Sequence, residues 1–379
     1  LAKFQQLYDA GVRRFAILND DFPAGQVSDV VTLINRLMDE FIKPNGCEMI
    51  AYCPNGYNKA WLGSSNELDI LNGLDDSIML FWTGDDVNSP MTQETIDYAQ
   101  TKFDGDICFW LNYPVNEHGK SGMFLGDITH YARDNVKMKG AVSNPCLYPE
   151  ASKVALYQLA ALWWNNTNYS EHAEEIWLRS FKYLQPEVYS AFTTIGRNIS
   201  NAPGSGRVPQ GFPESEYIKE ALESVEAKIV AGEDITNDQE VKDLLAEFDN
   251  IIAAVDTMKT SCDNQALVDE LTPWFNSLQN VTAAAKGAVE GVIASQSGDT
   301  GTAWDMFSQA VEQYDKYDSF SYLNGDGNYS TALAGSKRIE PFVSEVLPVL
   351  EKAVMDVVDP DGSCTGNDDI GFMGVIGGN

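Results

Sequence analysis

Basic side chains and histidine are scarce in this sequence: 25 Lys and Arg stand against 56 Asp and Glu, with only three His in 379 residues. The formal charge of −31 argues against a nucleic-acid backbone or an anionic membrane as partner, because both would be repelled. A neutral or cationic ligand is untouched by that argument. No run of about 18 apolar residues occurs, so the sequence predicts no membrane span. Six Cys in so long a chain do not make a small disulfide framework. Cys47 and Cys53, about 3.3 Å per residue apart in one extended stretch, are too distant to bridge locally. His118, His130 and His172 show no metal-ligand spacing. Asn324-Gly325-Asp326-Gly327-Asn328 and Asp359-Pro360-Asp361-Gly362 both fail the EF-hand template, and no Gly-rich phosphate loop is present. No metal and no cofactor are therefore expected. Leu1 is not an initiator methionine, which leaves room for a leader ahead of it.

What is present is an ordinary globular composition, 44% apolar and 21% charged. Over the first 165 or so residues, short apolar or β-branched runs stand at 14–18, 47–53, 77–82, 107–111 and 140–143. Amphipathic helical stretches fill the gaps at 28–41, 66–74, 92–102 and 128–135, and a further helix precedes the first run at 1–10. Nearly continuous apolar strands alternating with helices predict a parallel sheet covered on its outer face.

Each run is followed by polar residues: Asn19-Asp20-Asp21, Pro54-Asn55-Gly56-Tyr57-Asn58, Thr83-Gly84-Asp85-Asp86, Asn112-Tyr113-Pro114 and Asn144-Pro145. Polar groups at every strand's C-terminal end favour a (β/α)8 barrel over an open doubly wound sheet, which gathers them at one switch point. Five βα units are visible where a closed barrel needs eight. The expected fold class is thus α/β: the C-terminal five βα units of a TIM barrel over residues 1–168, followed by an all-α helical bundle over 169–358. Beyond 165 the strand signal ends, and helical patterns cover 171–183, 215–231, 238–258, 265–296, 303–317 and 336–358. A Gly/Pro/Ser-rich linker interrupts them at 201–214, and the Gly- and Asp-rich tail 359–379 reads as a flexible segment.

Asp20-Asp21 is the sharpest chemical feature. Adjacent residues of a strand face opposite ways, so both carboxylates reach one site only where the chain turns inward. Held together, two like charges push one pKa upward and supply a proton donor near neutrality. Neighbours on one strand end cannot flank a sugar from opposite sides, as a glycosidase with an enzymic nucleophile or base requires. They suit a substrate-assisted reaction, in which a 2-acetamido carbonyl attacks the anomeric carbon.

The series Gly11-Val12-Arg13-Arg14-Phe15-Ala16-Ile17-Leu18-Asn19-Asp20-Asp21 resembles the catalytic strand of glycoside hydrolase family 84, which comprises β-N-acetylglucosaminidases, O-GlcNAcases and hyaluronidase-labelled enzymes. The resemblance continues in family order through Cys53-Pro54-Asn55-Gly56-Tyr57-Asn58, Phe81-Trp82-Thr83-Gly84, Trp110-Leu111-Asn112-Tyr113-Pro114-Val115, Phe124-Leu125-Gly126, Ser143-Asn144-Pro145 and Glu150-Ala151-Ser152-Lys153. It implies a retaining exo-β-N-acetylglucosaminidase acting through an oxazoline on terminal GlcNAc of glycans or O-GlcNAc proteins. Asp20 would polarise the acetamido N–H, and Asp21 would be the acid and then the base. Tyr57 would donate to the acetamido oxygen, and Trp110 would wall the N-acetyl pocket. Asn112 and Asn144 would bond the sugar or the catalytic pair. Glu117 stands where the family usually has an Asp that meets the 4- and 6-hydroxyls. The family's Gly and Lys at the 3-hydroxyl belong to early strands without a counterpart here. Five strands cannot close a barrel and leave an open parallel edge, so a second polypeptide supplying the N-terminal strands is expected. Acidity, the modular habit of the family and the tail point to a secreted bacterial setting. The competing reading is a degenerate carbohydrate-binding or scaffolding protein without turnover, which Glu117 and the missing strands favour.

Overall fold

The computed structural model describes residues 1–21, 25–116, 122–130, 133–200, 213–325 and 327–358. Glu117, most of the predicted linker and the tail 359–379 lie outside the described residues.

Helix α1 (Ala2–Asp9) leads into β1 (Arg14–Leu18). Helix α2 (Val27–Leu37), which widens into a π turn over Met38–Ile42, leads into β2 (Glu48–Cys53). Two short helices, α3 (Lys59–Leu62) and α4 (Glu67–Leu71), precede β3 (Met79–Trp82). Helix α5 (Gln93–Gln100) precedes β4 (Ile107–Leu111), and β5 (Gly140–Ser143) completes the sheet. The five strands lie in chain order and every pair is parallel, forming a half-barrel as the sequence predicts.

Alternation along the strands builds two layers. Leu80 and Trp82 of β3 and Ile107, Phe109 and Leu111 of β4 face the helices, in one core with Ile34, Phe41, Leu71 and Ile96. The intervening Phe81 and Cys108 face inward with Ala51 and Cys53, and Met79, Trp110 and Val142 pack beside them. One irregularity is Ile50, an extra residue of β2 between the pairs Phe15–Met49 and Ala16–Ala51.

The remainder is helical: α6 (Pro149–Trp164), α7 (Tyr169–Leu184), α8 (Tyr189–Asn198), α9 (Lys219–Val230), α10 (Gln239–Ser261), α11 (Gln265–Gln296), α12 (Thr300–Lys316) and α13 (Ile339–Val358). Between the last two sits an antiparallel hairpin, β6 (Ser321–Leu323) and β7 (Tyr329–Thr331). The sequence spaces Leu244, Phe248, Ile251, Ile252 and Val255 at three and four residues as a bundle stripe; four of them are buried in the bundle core and Ile252 is half-buried. None of the described helices is long and apolar enough to cross a membrane.

Several expectations need correction. The helix expected at 128–135 is reduced to a 3-10 turn over Ile128–His130. Its latter part bonds elsewhere: Asn135 donates its N–H to the Asn166 carbonyl, and Asn135 itself takes a left-handed φ of 60°. Helix α6 packs on two sides and leaves Lys153, Ala160 and Trp164 exposed on a third. Ala155, Leu159 and Leu162 enter the sheet-side core, while Ala151 and Val154 enter the bundle core. The run of Asn and Gly at 324–328 turns the hairpin, with Asn324 Oδ1 accepting the N–H of Asn328 at 2.9 Å. Strand signal thus persists, briefly, beyond residue 165.

Glu214 is fully buried where α8 and α13 approach. Its carboxylate accepts from Ser200 N at 3.3 Å, Ser336 Oγ at 2.9 Å and Lys337 N at 3.2 Å. Burial pushes its pKa from 4.5 up to about 7, with the bonds from Ser336 and Ser200 opposing the shift. Between those two values the native state holds a proton that the unfolded chain has lost, so the group's contribution falls as pH rises through about 7. Wild type should therefore lose stability relative to Glu214→Gln on going from pH 5 to pH 7, by up to about 1.4 kcal/mol per pH unit. Urea unfolding at both pH values checks this, and parallel pH profiles would contradict it.

Candidate active site

At the C-terminal ends of the strands a cleft of about 310 Å³ is lined by Asp20, Asp21, Cys53, Tyr57, Trp61, Thr83, Val87, Trp110, Asn112 and Asn144. Six of the seven residues singled out from the sequence thus share one cavity, and the seventh, Glu117, is among the undescribed residues. A larger cavity, about 550 Å³, lies among α7, α8 and α10. Its charged groups are largely spoken for: Arg179 pairs with Glu175, and the Tyr217 hydroxyl donates to Glu247. We assign it no chemistry.

Strand alternation places much of the cleft. In β4 and just beyond it, Cys108, Trp110 and Asn112 occupy every second position, and Val142 and Asn144 do so at β5. By the same rule Cys53 follows Ala51, and Thr83 follows Phe81. The Asp pair uses a different device. Asn19 still pairs with the sheet, donating to the Cys53 carbonyl at 3.0 Å. Two residues later Asp21 takes a left-handed φ of 56°, turning the chain so that both adjacent carboxylates line the cleft. Such a conformation is uncommon for a residue other than glycine, though Asp tolerates it better than most.

Polar contacts fix the rest. The Tyr57 hydroxyl donates to Asp21 Oδ1 at 3.4 Å, and the ring packs against Trp61 with centroids 5.0 Å apart. Burial, reinforced by the charges of Asp21 and Asp20, pushes the Tyr57 phenol far above its ordinary pKa, so it remains a donor. Burial and the same two carboxylates likewise keep Cys53 a neutral thiol. Asn112 is a hub. Its Oδ1 accepts from Trp110 Nε1 and from Asn144 Nδ2, both at 3.1 Å, and its Nδ2 donates to the Val87 carbonyl at 2.6 Å. Phe81 meets the Trp110 ring edge-on at 5.3 Å. The indole is therefore held by one polar and one aromatic contact.

The cleft has two adjacent carboxylates, a phenol donor, an aromatic wall and amides, which suits a neutral, polar ligand with a small apolar group. Among the described residues no His, Cys, Asp and Glu gather as a metal-binding group. The five described cysteines, Cys47, Cys53, Cys108, Cys146 and Cys262, are free. Sequence reading passed over Trp61, in the four-residue helix α3, and Val87, in the loop after β3, where no periodicity points inward. For Cys53 and Thr83 the alternation was a usable signal.

A parallel half-barrel with its polar groups massed at the strand ends has the architecture of part of a (β/α)8-barrel enzyme, backed here by a helical module. The comparisons narrow this. A family model described as beta-N-acetylglucosaminidase matches residues 1–196, more than half of the chain, and a hyaluronidase post-catalytic domain-like model matches residues 217–321. The chain belongs to the β-N-acetylglucosaminidase family, glycoside hydrolase family 84. Among solved structures, CpGH84D is 26% identical with a TM-score of 0.84, over 93% of this chain and 58% of that one. CpGH84B is 24% identical with a TM-score of 0.76, over 91% and 59%. A mutant of the Thermobaculum terrenum O-GlcNAc hydrolase is 19% identical with a TM-score of 0.70, over 94% and 74%. The latter two likenesses speak to the fold alone. The chain spans less than two thirds of the length of CpGH84D and CpGH84B.

Removing the hub should disturb the whole network. Asn112→Ala leaves the Trp110 indole N–H, the Asn144 amide and the Val87 carbonyl each short of a partner, at a cost of about 1–3 kcal/mol. Denaturant unfolding measures the loss, and an unchanged midpoint would remove Asn112 from its structural role.

Proposed function

We propose that the protein is a retaining exo-β-N-acetylglucosaminidase working by neighbouring-group participation on terminal β-linked GlcNAc of glycans or O-GlcNAc proteins. The observation that carries the reading is the Asp20–Asp21 turn. It brings two neighbouring carboxylates and the Tyr57 hydroxyl to one cleft. In the first step the acetamido oxygen attacks C1 while the bond from C1 to the leaving oxygen breaks. Asp21 gives its proton to that oxygen. Asp20 accepts the hydrogen bond of the acetamido N–H and stabilises the charge that develops on the oxazoline. Tyr57 donates to the acetamido oxygen and aims it at C1. In the second step Asp21 takes a proton from water, whose oxygen attacks C1 and reopens the ring, leaving the anomeric configuration retained. Trp110 lines the N-acetyl methyl group, and Asn112 and Asn144 hold the sugar side of the cleft. Glu117 is assigned to the 4- and 6-hydroxyls.

The division at 168/169 belongs to the same proposal, as does a secreted bacterial setting. The free edge of β1 is also relevant: β1 pairs only with β2 among the described residues, and Leu18 at its end is 54% exposed. We propose that further strands complete it, from a second polypeptide or from other residues of the same one. The mass of the native protein distinguishes the two.

With the native protein, Asp21→Ala should slow glycosides of poor leaving groups at least about 100-fold more than activated aryl N-acetylglucosaminides, since only the former need protonation. A thiazoline mimic of the oxazoline should compete with substrate. Equal losses on both substrates, together with indifference to the thiazoline, would reject the mechanism. Binding of N-acetylglucosamine without turnover would favour the degenerate carbohydrate-binding protein.

A further inference from the structure

Tyr57 sits in the loop between β2 and α3, and the two halves of that loop are held differently. Downstream, the loop extends the sheet. Tyr57 O accepts from Thr83 N at 2.9 Å, Lys59 N donates to Gly84 O at 2.9 Å, and Ala60 N donates to Asp85 O at 3.0 Å. Upstream no strand is available. There the N–H groups of Asn55 and Gly56 donate to one side chain, Glu67, at 3.1 Å to Oε1 and 2.9 Å to Oε2. Glu67 opens α4 and is 6% exposed.

A buried carboxylate costs several kcal/mol unless its charge is met by hydrogen bonds, and a helix needs none at this position. An ionised carboxylate is, however, the side-chain group that accepts two backbone N–H bonds at once, each a charge-assisted bond. The fit is tight on the loop side too. A Cβ on Gly56 would stand 2.7 Å from Glu67 Oε2 and 3.0 Å from Leu62 Cδ1, although the backbone there is not in the left-handed region. A side chain at 56 would have to push the Glu67 carboxylate aside, so glycine here leaves room for that carboxylate rather than supplying conformational freedom.

We infer that Glu67 is the positioning residue for Tyr57: its carboxylate clamps the Asn55–Gly56 backbone and so sets the phenol at Asp21. Glu67 is not among the residues that line the cleft and acts through the loop that carries Tyr57. The inference rests on the proposed function insofar as Tyr57 meets substrate, and the tests separate the two.

In the native protein, Glu67→Gln keeps the size but turns an NH₂ toward one of the two donors. We expect kcat/KM for an aryl N-acetylglucosaminide to fall about 10- to 100-fold, mostly in kcat, with a small change in melting temperature. The double variant Glu67→Gln/Tyr57→Phe should be no worse than Tyr57→Phe within about twofold, because both changes remove one function. Gly56→Ala, which displaces the same carboxylate, should show the same non-additivity and serves if Glu67→Gln does not fold. Wild-type rates in Glu67→Gln, or losses that multiply in the double variant, overturn the inference while leaving the proposed function standing. If the wild-type protein has no turnover, the proposed function fails and the geometry still decides the inference. A crystal structure of Glu67→Gln should show the Tyr57 hydroxyl out of hydrogen-bond reach of Asp21. An unmoved hydroxyl overturns it.

Discussion

The two-residue period of a parallel strand governs both what holds this half-barrel together and what it presents. One set of side chains, Leu80, Trp82, Ile107, Phe109 and Leu111 among them, is buried under the helices. The alternate set must go to the barrel interior, and its last members are released at the strand ends as Cys53, Thr83, Trp110, Asn112 and Asn144. Because all five strands run the same way, those last members arrive at one rim. A register slip of one residue in β4 would exchange Trp110 for Leu111 and lose core and cleft together.

That same period explains why so much was legible. The apolar runs at 14–18 and 107–111 coincide with β1 and β4, and the helical pattern at 265–296 coincides with α11. The cleft was legible where chemistry is concentrated in type, at Asp20-Asp21, or where motif order gave Tyr57 and Trp110 meaning. What escaped had no local signature. Helix α6 is apolar on two sides because it has two cores to meet. The hairpin strands are three residues each, and its Asn-Gly turn resembles other polar loops. Glu67 is a lone acidic residue in an acidic chain, and only the approach of the Asn55 and Gly56 N–H groups distinguishes it.

The helical module reaches back to the cleft through its own hairpin. Gly325 N donates to the carbonyl of Asn116, four residues past Asn112, and the Tyr148 hydroxyl donates to the carbonyl of Leu323. Tyr322, on the buried face of the hairpin, packs against Trp274 of α11 with centroids 4.5 Å apart. Loops that follow β4 and β5 are thereby tied to the bundle core, although among the described residues no helix of that core lines the cleft.

Helix α6 carries one further consequence. With Leu159 and Leu162 in one hydrophobic core and Ala151 and Val154 in the other, a single rigid rod belongs to both. Helix α7 is placed the same way, with Tyr169 and Ala173 in the first core and Trp177 and Phe181 in the second. Two cores that share helices are coupled, since loosening one removes packing partners from the other. The sheet and the bundle are thus linked energetically through α6 and α7, and a change in the packing of one reaches the other.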